Sequence, residues 1–140
     1  DRAQTWAVDR LGEGAGRFHT EQADLLEYTP PTKAFDLVIV VYLHLPADQR
    51  RIVLRAAATA VAPGGHLIVI AHDTENLEHG VGGPQDPAIL FTAQDVVDDL
   101  IGTDLVYIRA ERGVRAVDTD AGPRQALDAV VLAQREGGQR

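Results

Sequence analysis

Two continuous runs of aliphatic and β-branched residues, Asp36 to Leu43 (DLVIVVYL) and His66 to Ala71 (HLIVIA), constrain the fold of this chain more than any other feature. Neither run alternates apolar with polar residues, so each has the pattern of a strand buried on both faces, as in a parallel sheet. Between them Ile52, Val53, Ala56, Ala57, Ala60 and Val61 form an apolar stripe at helical spacing. Pro46 suits its first turn, and the tight turn Pro63-Gly64-Gly65 ends it. Strand, helix and strand make a βαβ unit with a right-handed crossover, which predicts a doubly wound α/β fold.

The flanking segments extend this pattern. Ala3, Trp6, Ala7 and Leu11 recur at helical spacing until the glycines at 12, 14 and 16, so residues 2–11 are expected to be helical. Phe18 to Ala23 has a weak edge-strand pattern reaching Asp24, before Pro30-Pro31 blocks both helix and sheet pairing. Asn76 to Pro87 is rich in glycine with little periodicity and is expected to be a loop. Thr92 opens T-A-Q-D, a capping-box variant, and Val96, Val97, Leu100 and Ile101 give the helix after it a buried face that ends at Gly102. Leu105 to Val117 and Ala126 to Ala133 are expected to pair as a hairpin through the turn formers of Asp118 to Arg124.

Composition narrows the function classes. The chain has 140 residues, 45% hydrophobic and 24% charged, which fits one globular domain over residues 1–140. It has no cysteine, so a disulfide framework and a cysteine zinc site are excluded. A net charge of -8 opposes binding to phosphate backbones, so no nucleic-acid partner is expected. The longest apolar run, Leu37 to Leu43, is far short of the roughly 20 residues that cross a bilayer, and a cytoplasmic protein with no membrane partner is expected. The first residue is Asp1 rather than methionine, which leads us to expect a longer parent chain, heavier than 15.1 kDa.

In open α/β sheets, ligands bind beyond the carboxyl ends of the strands. Those ends bring Asp24 and Leu25, then Tyr42 and His44, then His72 and Asp73 toward one edge. A carboxylate, a phenol and two imidazoles there could hold a ligand and move a proton. Each also has a structural alternative: Asp24 as a turn cap, Tyr42 as a core residue with a satisfied hydroxyl, His44 as the lead into the helix at Pro46.

Two other patterns carry less. Gly12-Glu13-Gly14-Ala15-Gly16 looks like a nucleotide loop, but its preceding segment has helical spacing, whereas a dinucleotide loop leaves a strand and opens a helix. His44, His66, His72 and His79 with Asp73 lack the helical HExxH spacing, so no metal site is expected. The chain contains no serine, which excludes a Ser-His-Asp triad.

Three stretches together resemble the later half of a class I S-adenosylmethionine-dependent methyltransferase. They are Gln22-Ala23-Asp24-Leu25-Leu26; Ala34-Phe35-Asp36-Leu37-Val38 through Tyr42-Leu43-His44-Leu45-Pro46; and Val61-Ala62-Pro63-Gly64-Gly65-His66-Leu67. The resemblance implies a Rossmann-like sheet, mainly parallel with a C-terminal antiparallel hairpin, and S-adenosylmethionine as cofactor. It implies that Asp24 accepts a hydrogen bond from the adenine amino group, that Leu25 packs on the ring, and that Val41 and Tyr42 lie along the methionine side. The family's first strand, glycine-rich cofactor loop and ribose-binding acid have no counterpart here, so its N-terminal strands are expected to be absent.

Methyl transfer from a sulfonium is an in-line displacement that needs alignment and the exclusion of water, plus a base only where the acceptor loses a proton. His44 is the first candidate for that base and His72 the second. The acidic surface favours a small-molecule acceptor. The alternative is a non-catalytic α/β fragment that does not bind the cofactor. Without a neighbour, the strand from Asp36 would expose an apolar edge, and a homodimer is expected to cover it.

Overall fold

In the computed structural model, which describes residues 2–137, four strands form one sheet in the order β1-β2-β4-β3. Strand β1 is Phe35–Val41, β2 Val61–His72, β3 Leu105–Thr119 and β4 Gly122–Arg135; the helices are α1 (Arg2–Leu11), α2 (Ala47–Ala60), α3 (Asn76–His79) and α4 (Ala93–Asp99). The β1-α2-β2 unit forms where the apolar runs and the stripe between them require it, and β1 lies parallel to β2. The terminal hairpin is longer than expected, turning through Asp120 and Ala121 alone.

Helices α2 and α4 cover one face of the sheet. Leu54, Ala57 and Ala58 of α2, Val96 of α4 and the adjoining Phe91 and Leu100 pack on Leu67, Val69, Val131 and Ala133. Burying each large side chain of this set contributes roughly 1.5–3 kcal/mol. The T-A-Q-D start of α4 is a complete capping box: the Thr92 hydroxyl accepts from the Asp95 amide at 3.1 Å, and the Asp95 carboxylate accepts from the Thr92 amide at 2.8 Å. Arg50 ties α2 to α4 through a buried 2.6 Å ion pair with Asp99. At the other end of α2, the buried Arg135 donates to the carbonyls of Val61 and Ala58, tying β4 to the end of the helix.

Several expectations need correction. Only one of the three strand pairings among the described residues is parallel, since β4 is antiparallel to both β2 and β3. The sheet is therefore mixed rather than mainly parallel. Phe18 to Ala23 forms no strand; it is irregular chain after a short 3-10 turn at Gly12–Arg17, and it pairs with none of the four strands. The glycines at 12, 14 and 16 thus follow a helix and do not cradle a nucleotide in the strand-loop-helix manner. Strand β1 is not buried on both faces: Val38 and Val40 pack on the core, while Leu37, Ile39 and Val41 are 56%, 60% and 46% exposed on the other face. Its outer edge has no neighbour among the described residues.

Pro63-Gly64-Gly65 does not precede the second strand but lies within it, as a bulge where the β1–β2 register shifts between Phe35 and Leu37. A Cβ at Gly65 would come within 2.9 Å of the Ala62 and Asp36 carbonyl oxygens, so the close approach of the two strands requires glycine there. Residues 76–87 are not all loop either. They open with α3, whose buried Asn76 fixes the segment by donating to the Gly82 carbonyl at 3.0 Å and accepting from the Leu127 amide at 2.8 Å. No helix among the described residues is long and apolar enough to cross a membrane.

Candidate functional site

The carboxyl ends of β1 and β2 meet β3 and β4 on the face opposite α2 and α4. Val41 pairs with Ile70 on that face, and regular alternation would send the next side chain to the helix-covered side. Tyr42 instead takes φ +53°, a left-handed conformation costing roughly 1–2 kcal/mol for a non-glycine residue. Its amide is held by the Ile70 carbonyl at 2.6 Å, and its hydroxyl donates to Asp128 Oδ2 at 2.9 Å. Asp128 stands opposite His72 in the β2–β4 ladder. It also receives Arg115 Nε at 3.0 Å, and the guanidinium lies 5.5 Å from the centre of the Tyr42 ring.

His72 packs between the Tyr42 ring, at 5.0 Å, and the His44 ring, at 5.4 Å. Its Nδ1 is buried without a hydrogen-bond partner and lies 4.0 Å from Asp128 Oδ1, beyond direct bonding but within reach after a small rotation. Burial, then the neighbouring His44 and Arg115, lowers the His72 pKa from its usual value near 6.5, against the opposing pull of Asp128. His72 is therefore a neutral imidazole at pH 7. Burial and the Asp128 carboxylate raise the Tyr42 pKa, which keeps its phenol protonated as a donor.

His44 is placed differently. Its Nδ1 bonds the Ile89 carbonyl at 3.0 Å and its Nε2 receives the His72 amide at 3.4 Å. The carbonyl can only accept, so this pairing fixes the Nδ1–H tautomer and engages both nitrogens. Asp73 faces away from this cluster, paired with Arg112 at 3.1 Å and capping the Glu75 amide at 2.8 Å.

Asp24 is exposed. One carboxylate oxygen accepts from the Leu26 amide at 3.0 Å, an Asx turn that leaves the other without a partner among the described residues. Leu25 and Val41 line one apolar groove of about 460 Å³ around the free edge of β1, with Phe35, Leu37 and Leu43. Tyr42 and His72 line a second cavity of about 380 Å³ with Val81, Gly82, Gly83, Arg115, Val117 and Thr119. Leu25 and Val41 thus line one space and Tyr42 and His72 the other, with Val41 and Tyr42 consecutive in the chain, while His44 lines neither.

Sequence reasoning missed Asp128 and Arg115. Asp128 had a signal, as the one charged residue in the run Ala126 to Ala133 (ALDAVVLA). Arg115 had none, because charged residues recur along β3.

No protein-family model and no curated protein sequence matches the chain. Solved structures do. A SAM-dependent methyltransferase from Methanosarcina mazei superposes with TM-score 0.59 at 16% identity, covering 92% of this chain and 77% of that one. The S-adenosylmethionine-dependent methyltransferase SibL gives 0.58 at 18%, covering 94% and 39%. The [4+2]-cyclase SpnF gives 0.61 at 12%, covering 96% and 61%. The chain thus has a class I SAM methyltransferase-like fold, and it spans 39% of the length of SibL and 61% of that of SpnF.

Proposed function

We propose that this chain forms part of an enzyme that transfers a methyl group from S-adenosylmethionine to a small-molecule acceptor. The observation that carries the reading is the Tyr42–His72–Asp128 cluster, with Tyr42 and His72 lining a cavity at the carboxyl ends of β1 and β2, on a fold shared with SAM-dependent methyltransferases. The residues present fit two parts of the cofactor. The free oxygen of Asp24 suits the adenine amino group beside Leu25, and Val41 with Tyr42 suits the methionine side. S-adenosylmethionine supplies a methyl group already activated on a positively charged sulfur.

His72, rather than His44, is the base in this reading. Its Nε2 has no hydrogen-bond partner among the described residues, and its lowered pKa keeps the ring neutral and free to accept a proton at neutral pH. With an acceptor aligned on that methyl group, His72 Nε2 would take up the proton the acceptor heteroatom loses on methylation, S-adenosylhomocysteine being the leaving group. Asp128, 4.0 Å from Nδ1, then stabilises the imidazolium. Tyr42 and Arg115 hold the Asp128 carboxylate in place, and the glycine turn at 82–83 covers the ring from water.

Calorimetry with S-adenosylmethionine tests the assignment on this chain and on a form carrying whatever precedes Asp1 in its gene. Binding by either supports it, and binding by neither removes it. A second reading, a non-catalytic α/β unit that self-associates, draws on the exposed Leu37, Ile39 and Val41 face, which a second copy would cover as a homodimer. The cyclase with the same fold is a further reason to measure methyl transfer directly.

A further inference from the structure

We propose that the cavity beneath residues 81–83 binds a carboxylate-bearing ligand with an apolar body, and that Arg115 is the anchor for the carboxylate. Describing that ligand as the methyl acceptor rests on the reading above; the binding of the anion does not.

The chain carries a net charge of -8, yet none of the side chains lining this cavity is acidic. The nearest carboxylate, Asp128, is only 7% exposed and is already engaged by the Tyr42 hydroxyl and Arg115. Arg115 turns Nε and Nη2 toward Asp128 at 3.0 and 3.5 Å, while Nη1 has no hydrogen-bond partner among the described residues and the side chain is 43% exposed. The contacts with Asp128 and the Tyr42 ring fix the guanidinium plane before any ligand arrives, which lowers the ordering cost of binding.

Around this single cation the walls are Val81, Val117 and the Tyr42 ring, and the amides of Gly82 and Gly83 have no partner within the described residues. A Cβ at Gly83 would fall 2.8 Å from the His72 ring, so this turn sits directly on the imidazole. One free guanidinium edge with two amides matches a monocarboxylate. A phosphate ester, carrying close to two charges, would call for more than one cation. The volume of about 380 Å³ admits an aromatic acid such as benzoate.

The test is a titration of the full chain with benzoate, with benzamide as the neutral control of the same shape, read from the proton resonance of His72 Cε1–H. That resonance is assigned by its loss in His72→Gln. Benzoate is expected to shift it saturably and benzamide is not. Losing one charge-assisted contact weakens binding roughly tenfold or more, so Arg115→Gln should raise the benzoate Kd by that factor. Should Arg115→Gln fail to fold, Val117→Glu places a negative charge in the same cavity with Arg115 intact and is expected to abolish the shift.

Equal shifts from benzoate and benzamide, no shift with benzoate, or an unchanged Kd in the folded variants would overturn the proposal. Benzoate binding by a protein that does not bind S-adenosylmethionine in any form would uphold the anion site while removing its role in methyl transfer.

Discussion

The Tyr42 hydroxyl donates to Asp128 Oδ2 across 2.9 Å, joining residues 86 positions apart in the chain. One bond thus ties the end of β1 to β4, two strands that share no ladder because β2 lies between them. It also holds a residue in a left-handed conformation that its side chain disfavours. Tyr42→Phe keeps the ring against His72 but removes this bond. Part of Tyr42 remains solvent-exposed, so the expected loss is about 1–2 kcal/mol, read as a lower urea midpoint with unchanged slope. An unchanged midpoint would show that the bond is not formed in solution.

Protonation of His72 should couple stability to pH. The unfolded ring takes up a proton near pH 6.5, and burial lowers that value in the folded chain. Between the two values the unfolded state binds more protons, so the contribution is complete above about pH 6.5 and is lost as pH falls through the folded pKa. Urea midpoints measured from about pH 8 to 5 should therefore fall less steeply for His72→Gln than for the wild type. Parallel curves would contradict the burial of Nδ1.

At Gly65 the constraint is steric. Gly65→Ala puts a methyl group 2.9 Å from two backbone oxygens, neither of which can swing aside. The expected cost is about 1–3 kcal/mol, concentrated in the β1–β2 pairing. Hydrogen exchange should show β1 amides losing protection before those of β4.

Exposure of Leu37, Ile39 and Val41 gives the fourth prediction. Ile39→Arg adds a charge at the centre of this face without touching the core packed under Val38 and Val40. The wild type should scatter light as a dimer and the variant as a monomer, with a thermal midpoint no lower than that of the isolated protomer. A monodisperse wild-type monomer removes the homodimer.

Much of this architecture was legible in the residues. The runs at Asp36 and His66, the stripe from Ile52 to Val61 and the T-A-Q-D cap each depend on neighbours close in sequence, and each forms where its pattern requires. Phe18 to Ala23 failed because a strand exists only beside a partner, and a local pattern does not disclose whether one is available. The burial expected of β1 failed for the same reason: an apolar run records what a segment can bury, not what covers it. Within the site, the ends of β1 and β2 pointed to Tyr42, His44 and His72, because the topology places such ends together. The distinction between the two histidines depended on Ile89 and Asp128, which are distant in sequence and reach the site only through the fold.

The two-residue turn at Asp120 and Ala121 sets the order in which the sheet can assemble. The ladder between β3 and β4 grows from adjacent residues, so its closure entropy is small and it can form on the microsecond scale of a hairpin. Strand β2 comes from a distant part of the chain to reach β4, and β1 joins the sheet through β2 alone. The hairpin is therefore the pairing in this sheet that closes the shortest stretch of chain. The edge that carries Tyr42, His72 and Asp128 exists only once β1, β2 and β4 are all in place, so a partly assembled sheet does not hold the three side chains together.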